Sequence, residues 1–515
     1  MSAEPPRSLS LSLVSHTNAG KTTLARTLLG RDVGTVRDAP HVTEFADVYT
    51  MLETPQGEQL RLWDTPGFGD SVRLVKRLRA SGNPLGWFLS EVWDRWRDRA
   101  FWSSQQAIRN VRDEADVMLY LVNAAESPEA AGYVQPEMEL LGWIGKPVIV
   151  LLNQLGAPRE GAAEAAEVER WRAHLAGHAQ VHAVLPLDAF ARCWVQEGAL
   201  LQAIEGVLVD EQRALMGRLR AAWQAQRWQT FEAAMGTLAD SLARLAMAVE
   251  VLPDQGGLGA RLRQVGTAIG IGNAEQTPTT VAQAALAQRL ADEVSASTLT
   301  LITLHGLEGR AQGEILARLA THFETRLKLD EGKAALWGGM VSGALVGLKA
   351  DLLSGGLTLG GGLIAGGLIG ALGAAGLARC VNLVRGTDRS WVAWNAEALD
   401  QMLEAALLRY LAVAHFGRGR GDWAQGESPP HWREVVQRAL LGQREVLAML
   451  WRERDGRGGK AIGDVSGDDA REARRLITAA LVPVLTQAMG DALRSLYPEA
   501  AVLRESSQPA PSPSQ

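Results

Sequence analysis

Cysteine is scarce in this chain. Cys193 and Cys380 are the only two, far apart and without metal-ligand spacing. Neither a disulfide framework nor a cysteine-held metal is expected, and a reducing cytoplasm fits best. An excess of basic charge is also missing, since 52 Lys and Arg face 58 Asp and Glu for a net charge of −6. Nothing draws the chain as a whole to phosphate backbones, so nucleic acid is not an expected partner. The N-terminal MSAEPPRSLSLSLVSH carries Glu4 and only a short Leu/Ser alternation, which is no signal-peptide core. What is present is 515 residues at 47% hydrophobic content, enough for roughly two to four domains. Sixteen tryptophans spread over nearly every segment, a distribution that suits core packing better than ligand stacking.

The first two hundred residues alternate strand-like and helix-like runs. Strands are expected at 8–14, 44–51, 59–63, 117–122, 147–152 and 182–186, with helices at 21–29, 136–143 and 162–178. Short apolar strands alternating with helices predict an α/β domain with a mostly parallel sheet covered on both faces. Its expected extent is 1–205, with a helical Trp-rich insertion at 69–115. There Phe88, Val92 and Trp96 share one helical face, which reads as a dock for a neighbouring domain. Helical patterns dominate 206–330, a Gly-rich apolar segment fills 331–385, and helices resume from about Ser390 to residue 500. The result is a large all-α C-terminal domain. Residues 501–515 end in a Pro/Ser tail that reads as disordered.

Residues 15–23, SHTNAGKTT, follow a strand and open a helix. Phosphate binding needs backbone N–H groups converging at a helix N-terminus together with a lysine charge. Gly20 offers close backbone approach, Lys21 the charge for β/γ-phosphates, and Thr22 a hydroxyl for magnesium. Ser15, Asn18, Ala19 and Thr23 complete the candidate nucleotide cradle. Ser15 departs from the pattern G-x-x-x-x-G-K-[ST] at its first position, where glycine's freedom at φ > 0 helps. Asp64-Thr65-Pro66-Gly67 closes the next strand. Its carboxylate suits a metal's coordination shell, and Gly67 allows a backbone N–H to approach a γ-phosphate. Between these lies TVRDAPHVT, 35–43, where Thr43 is the better candidate to reach back to magnesium and Thr35 the lesser.

SHTNAGKTTL resembles the phosphate loop of TRAFAC-class GTPases of the Era, Der and TrmE type. TVRDAPHVT and WDTPGF resemble their switch and third motifs. The resemblance covers about the first 200 residues and implies a P-loop GTPase domain binding GTP or GDP with Mg2+. It also implies a potassium ligand at Asn18, whose plainer reading is a turn residue bonding its own loop. Phe68 stands where Ras-like enzymes place a water-orienting glutamine, so a cation and a group from elsewhere would stabilise the transition state. Lys21, Asn18 and Thr43 are then the candidate catalytic residues, and Thr22, Thr43 and Asp64 the metal ligands. The base motif departs from the family: Asn153-Gln154-Leu155-Gly156 stands for N-K-x-D. The missing aspartate leaves guanine against adenine open, with Asn153 bracing the loop and Asp188 offered as a replacement. The whole chain resembles an uncharacterised bacterial family with a helical C-terminal domain.

Gly339, Gly343 and Gly347, then Gly362, Gly366 and Gly370, recur every fourth residue. Such faces let backbones approach closely, as in membrane helix pairs. Residues 352–378 are long enough to span a bilayer, whereas 334–348 reach ~22 Å against a ~30 Å core. Two readings stand, a hairpin at 334–378 that enters or lies on the inner membrane, and two tightly packed helices in a soluble core. The expected function is a slow GTPase switch with K+ as a second cation. The expected partners are a membrane and a second copy of the chain. The rivals are a nucleotide-binding membrane scaffold with little hydrolysis and a dynamin-like membrane-remodelling GTPase.

Overall fold

A computed structural model describes residues 8–30, 46–79, 86, 99–155, 161–189, 193–252, 278–307, 313, 315–316, 381–385, 390–416, 430–461 and 467–498. Thr35, Thr43, Gly156, Phe88, Val92, Trp96, the apolar segment 334–378 and the tail lie outside the described residues. Contacts divide the chain into two compact units. One comprises Met1–Trp228, His415–Gln425 and Tyr497–Gln515; the other comprises Gln229–Ala414 and Gly426–Leu496.

The first unit follows the alternation legible in the sequence. Its elements are β1 (Ser8–Ser15), α1 (Lys21–Leu29), β2 (Asp47–Glu53), β3 (Gln59–Asp64), α2 (Ser71–Leu78) and α3 (Arg99–Asp113). There follow β4 (Val117–Asn123), α4 (Val134–Ile144), β5 (Val148–Asn153), α5 (Gly161–Leu175), β6 (Val181–Pro186) and α6 (Trp194–Val207). The strands form one sheet in the order β2-β3-β1-β4-β5-β6. All pairings are parallel except β2 with β3. Parallel strands place their carboxyl ends at one edge, where ligands of open α/β sheets bind.

β1 shows why the sheet is covered on both faces. Its sequence, SLSLSLVS, alternates as a half-exposed strand would, yet Leu9 to Ser15 are all buried. The serines supply a small face on which helices sit closely, and the Ser12 hydroxyl donates to Asn110 Oδ1 of α3 at 2.8 Å. Bonding of this kind removes the penalty for burying a hydroxyl. The C-terminal carbonyls of α3 lack helical partners. Lys146, at the entry to β5, donates from Nζ to Val111 O at 2.9 Å and to Arg112 O at 2.6 Å, and bonds Ala115 O as well.

In the second unit, the remainder of α7 (Asp210–Ala246) leads to β7 (Val249–Val251), α8 (Pro278–Leu304), β8 (Val381–Arg385) and β9 (Ser390–Trp394). Then come α9 (Ala396–Ala414), α10 (Pro430–Leu441), α11 (Arg444–Ala461) and α12 (Gly467–Leu496). The region is largely helical, with one addition: an antiparallel sheet of order β7-β9-β8. Ser390 begins a strand rather than a helix, and helix resumes only at Ala396. SWVAW is too short and too apolar to show a period, and its Trp391–Trp394 run is buried throughout. One helix among the described residues, Asp468–Leu496, is long and apolar enough to cross a membrane, and half of its apolar window is buried inside the structure.

The Lys146 bonds make a stability prediction. Lys146→Met keeps the aliphatic stem and removes three charge-assisted bonds, so it should cost about 2 kcal/mol. Chemical denaturation of the full chain reads this as a lowered midpoint; an unchanged midpoint would contradict the capping role.

Candidate phosphate-binding site

The candidate site forms where β1 and β3 end and α1 begins. Beyond Ser15 the chain turns through Asn18 at φ 66° and Gly20 at φ 88°. Gly20 caps α1 and offers no side chain to the helix's first N–H groups. Uncapped N–H groups at a helix start favour an anion. Asn18 is exposed, and its amide makes no side-chain hydrogen bond among the described residues. The turn conformation of its plainer reading is therefore present, and the loop bond is not.

Ser15 closes the strand and does not occupy the left-handed region. Glycine's freedom, expected to help at this first position, is used further along the loop, where positive φ falls at Asn18 and Gly20. The Ser15 side chain has a contact that the sequence did not suggest, because Lys21 Nζ donates to Ser15 Oγ at 2.9 Å. Burial draws the Lys21 ammonium below the usual lysine range, with the charges of Asp64 and Glu137 opposing. Gly67 lies against this lysine: a Cβ there would stand 3.1 Å from Lys21 Nζ and 3.0 Å from Thr17 Cα.

Thr22 and Asp64 come together as their motifs suggest. Thr22 Oγ1 donates to Asp64 Oδ2 at 2.6 Å. Asp64 is 1% exposed, and its Oδ1 has no hydrogen-bond partner among the described residues. Burial pushes its carboxyl up to about 6; the Thr22 hydroxyl and the Lys21 charge pull the other way, and the Asp47 charge adds to the rise. Phe68 is fully buried in the core cluster with Val14 and Leu74, so its side chain does not face the cleft. Ala19 in the loop and Thr23 in the first turn of α1 are both buried.

At the other end of the cleft, Asn153 braces two loops at once. Its Nδ2 donates to Ala19 O at 2.8 Å, and its Oδ1 accepts from Ala189 N at 2.9 Å. Asp188 is 3% exposed and accepts from Leu155 N through Oδ2 at 2.7 Å. That bond anchors the loop following Asn153, in which Gln154 adopts φ 60°.

A further group was not singled out by motif reasoning. His16 Nδ1 lies 2.7 Å from Glu137 Oε1, Tyr120 donates to Glu137 Oε2 at 2.7 Å, and the His16 ring stacks on Tyr133 at 4.5 Å. Its one sequence signal was an acidic residue inside the apolar run 134–144, since Glu137 is fully buried.

Gly20 supplies a test of the cleft's geometry. A Cβ there would lie 2.7 Å from Asn153 Nδ2, at a φ that L residues rarely adopt. Gly20→Ala should therefore weaken nucleotide binding about tenfold or more, at roughly 1–2 kcal/mol of backbone strain plus the displaced amide. Adding Asn153→Ala should recover part of the loss by making room. Fluorescent-nucleotide titration of the four proteins checks this, and purely additive losses would refute the contact.

Comparison with known proteins bears on this arrangement. Residues 10–154 match a family described as 50S ribosome-binding GTPase, and residues 327–482 match a domain of unknown function, DUF3482. No curated protein matches the chain. Similar solved structures include Era in complex with MgGDPNP and a 16S ribosomal RNA segment. It is 16% identical, with a TM-score of 0.29, covering 58% of this chain and 90% of that one. Aquifex aeolicus Era bound to GDP and aluminium fluoride gives the same values. A bacterial dynamin pair is 10% identical at a TM-score of 0.24, covering 93% of this chain and 77% of that one. Likenesses at these TM-scores carry no argument of their own. The family match, the sheet order and the loop geometry agree: residues 10–154 form a P-loop GTPase domain of the 50S ribosome-binding GTPase family, and a separate DUF3482 domain lies C-terminal to it.

Proposed function

We propose that the chain is a magnesium-dependent GTP-binding and GTP-hydrolysing switch whose nucleotide state governs its helical region. The observation that carries this reading is the cluster of buried Lys21, buried Asp64 and half-buried Thr22 at the glycine-capped start of α1. Lys21 would hold the β- and γ-phosphates, exchanging its Ser15 bond for phosphate oxygens. Backbone N–H groups of the loop and of Gly67 would complete the anion cradle.

Magnesium fits the donors present. Mg2+ takes hard oxygen ligands, commonly one or two carboxylates beside substrate phosphates and waters. Thr22 Oγ1 and the unpartnered Asp64 Oδ1 meet that need. Among the described residues no group of three or more His, Cys, Asp or Glu offers an all-protein metal site. When bound, the ion would neutralise charge developing on the phosphoryl oxygens. Thr43 is proposed as the third protein ligand, acting as the γ-phosphate-sensitive switch residue. Asn18 is proposed as a K+ ligand, its amide being free of loop bonds and exposed.

Burial of Phe68 supports slow intrinsic turnover, because that position presents no side chain to orient water. For the base, Asn153 and Asp188 are proposed to shape the pocket through the loop they hold. Membrane contact is proposed for 334–378, on the sequence pattern alone.

Turnover assays test the reading. GTP hydrolysis should be faster in potassium than in sodium at equal ionic strength, and Lys21→Ala should abolish it. Tight GTP binding with no hydrolysis in either salt would leave a nucleotide-binding scaffold instead. The Asp64 carboxyl, raised to about 6 by burial, adds a pH dependence. It must lose its proton to ligate, so Mg2+ retention in the nucleotide complex should weaken as pH falls through 6, by up to about tenfold per unit. Calorimetric Mg2+ titrations between pH 5 and 8 check this, and a flat profile would exclude Asp64 as the ligand.

A further inference from the structure

Two loops of the site are joined by one short piece of sheet. The β1–β3 ladder runs in register from Ser8 opposite Gln59 to Leu13 opposite Asp64. It resumes past the Asp64 corner as an isolated parallel bridge between His16 and Phe68. Phe68 N–H donates to Ser15 O at 2.9 Å, and Thr17 N–H donates to Phe68 O at 3.2 Å. Gly67, next in the chain, sits against Lys21 Nζ and Thr17. The backbone that approaches the γ-phosphate is therefore held by His16 and its neighbours.

His16 is itself anchored from the side. Nδ1 of His16 lies 2.7 Å from Glu137 Oε1; to an ionised Glu137, which only accepts, Nδ1–H is the donor. Glu137 is fully buried, and Tyr120 from the adjacent strand β4 fixes its second oxygen. Tyr133 stacks on the ring at an interplanar angle of 21°. A buried carboxylate needs such donors, and one of them is a side chain of the phosphate loop. Nothing in catalysis as derived above uses these groups.

We propose that His16 is a positioning residue for γ-phosphate sensing: through its Nδ1 bond to Glu137 it fixes the Ser15–Thr17 turn to which the Gly67–Phe68 backbone is bonded. The proposal rests on the reading of the site as one for a nucleoside triphosphate. It assigns His16 to discrimination between triphosphate and diphosphate, because only the triphosphate engages Gly67.

The test compares affinities for GDP and a non-hydrolysable GTP analogue, by fluorescence or calorimetry with Mg2+, in the full chain. His16→Ala should weaken the analogue about tenfold while leaving GDP within about threefold. His16→Asn places its amide nitrogen where Nδ1 stood and should restore the preference. His16→Gln places its amide nearer Nε2 and should not. The Asn and Gln variants keep a polar side chain and carry the test if the alanine variant fails to fold. Equal losses for both nucleotides, no loss at all, or equal rescue by Gln would overturn the proposal. If the wild-type chain binds neither nucleotide, the site reading itself falls.

Discussion

An ammonium and a carboxylate buried in one small cleft constrain everything around them. Lys21 and Asp64 each resist charging because of burial, and each eases the other. The surrounding residues are what this pair permits. Ser15 supplies an oxygen for the lysine, Thr22 a proton for the carboxylate, and Gly67 the absence of a side chain where a Cβ would press on Nζ. Gly20 is likewise bare because Asn153 occupies the space a side chain would need. The cleft is thus prepared for oxygen-rich anionic company, since phosphate and a divalent cation would give both charges better partners than they have now.

Much of this was legible in the sequence, for identifiable reasons. Strand-helix alternation and the GKTT and DTPG motifs are local: each needs only a few adjacent residues to be recognised. The strands expected at 59–63 and 117–122 appear as Gln59–Asp64 and Val117–Asn123. What escaped is non-local. The Lys21–Ser15 bond looks like a mere departure from pattern until the loop is folded. The His16–Glu137 pair joins residues 121 positions apart, and no spacing rule connects them. The small sheet of the second unit escaped because β7 is three residues long and pairs with a strand far along the chain.

The base end of the cleft shows how a lost motif residue changes the question. Asn153 joins the phosphate loop to the stretch after β6, and Asp188 secures Leu155. These bonds brace the loop, and Gly156, in place of the family's aspartate, supplies no carboxylate. On the proposed reading, base selection would then depend on pocket shape as well as on any single carboxylate.

Phe68 has a consequence for how this chain could change over time. Its ring fills the core beside Val14 and Leu74. Replacing it by glutamine would bury an amide among hydrocarbon, with the cost that unsatisfied polar groups bring. The mutational step to a side chain that orients water at this position is therefore costly, and on the proposed reading faster hydrolysis would have to be delivered from outside it. On the proposed reading, control over the rate would then belong to whatever supplies the missing group, and the protein's lifetime in its triphosphate state would be a property of its company.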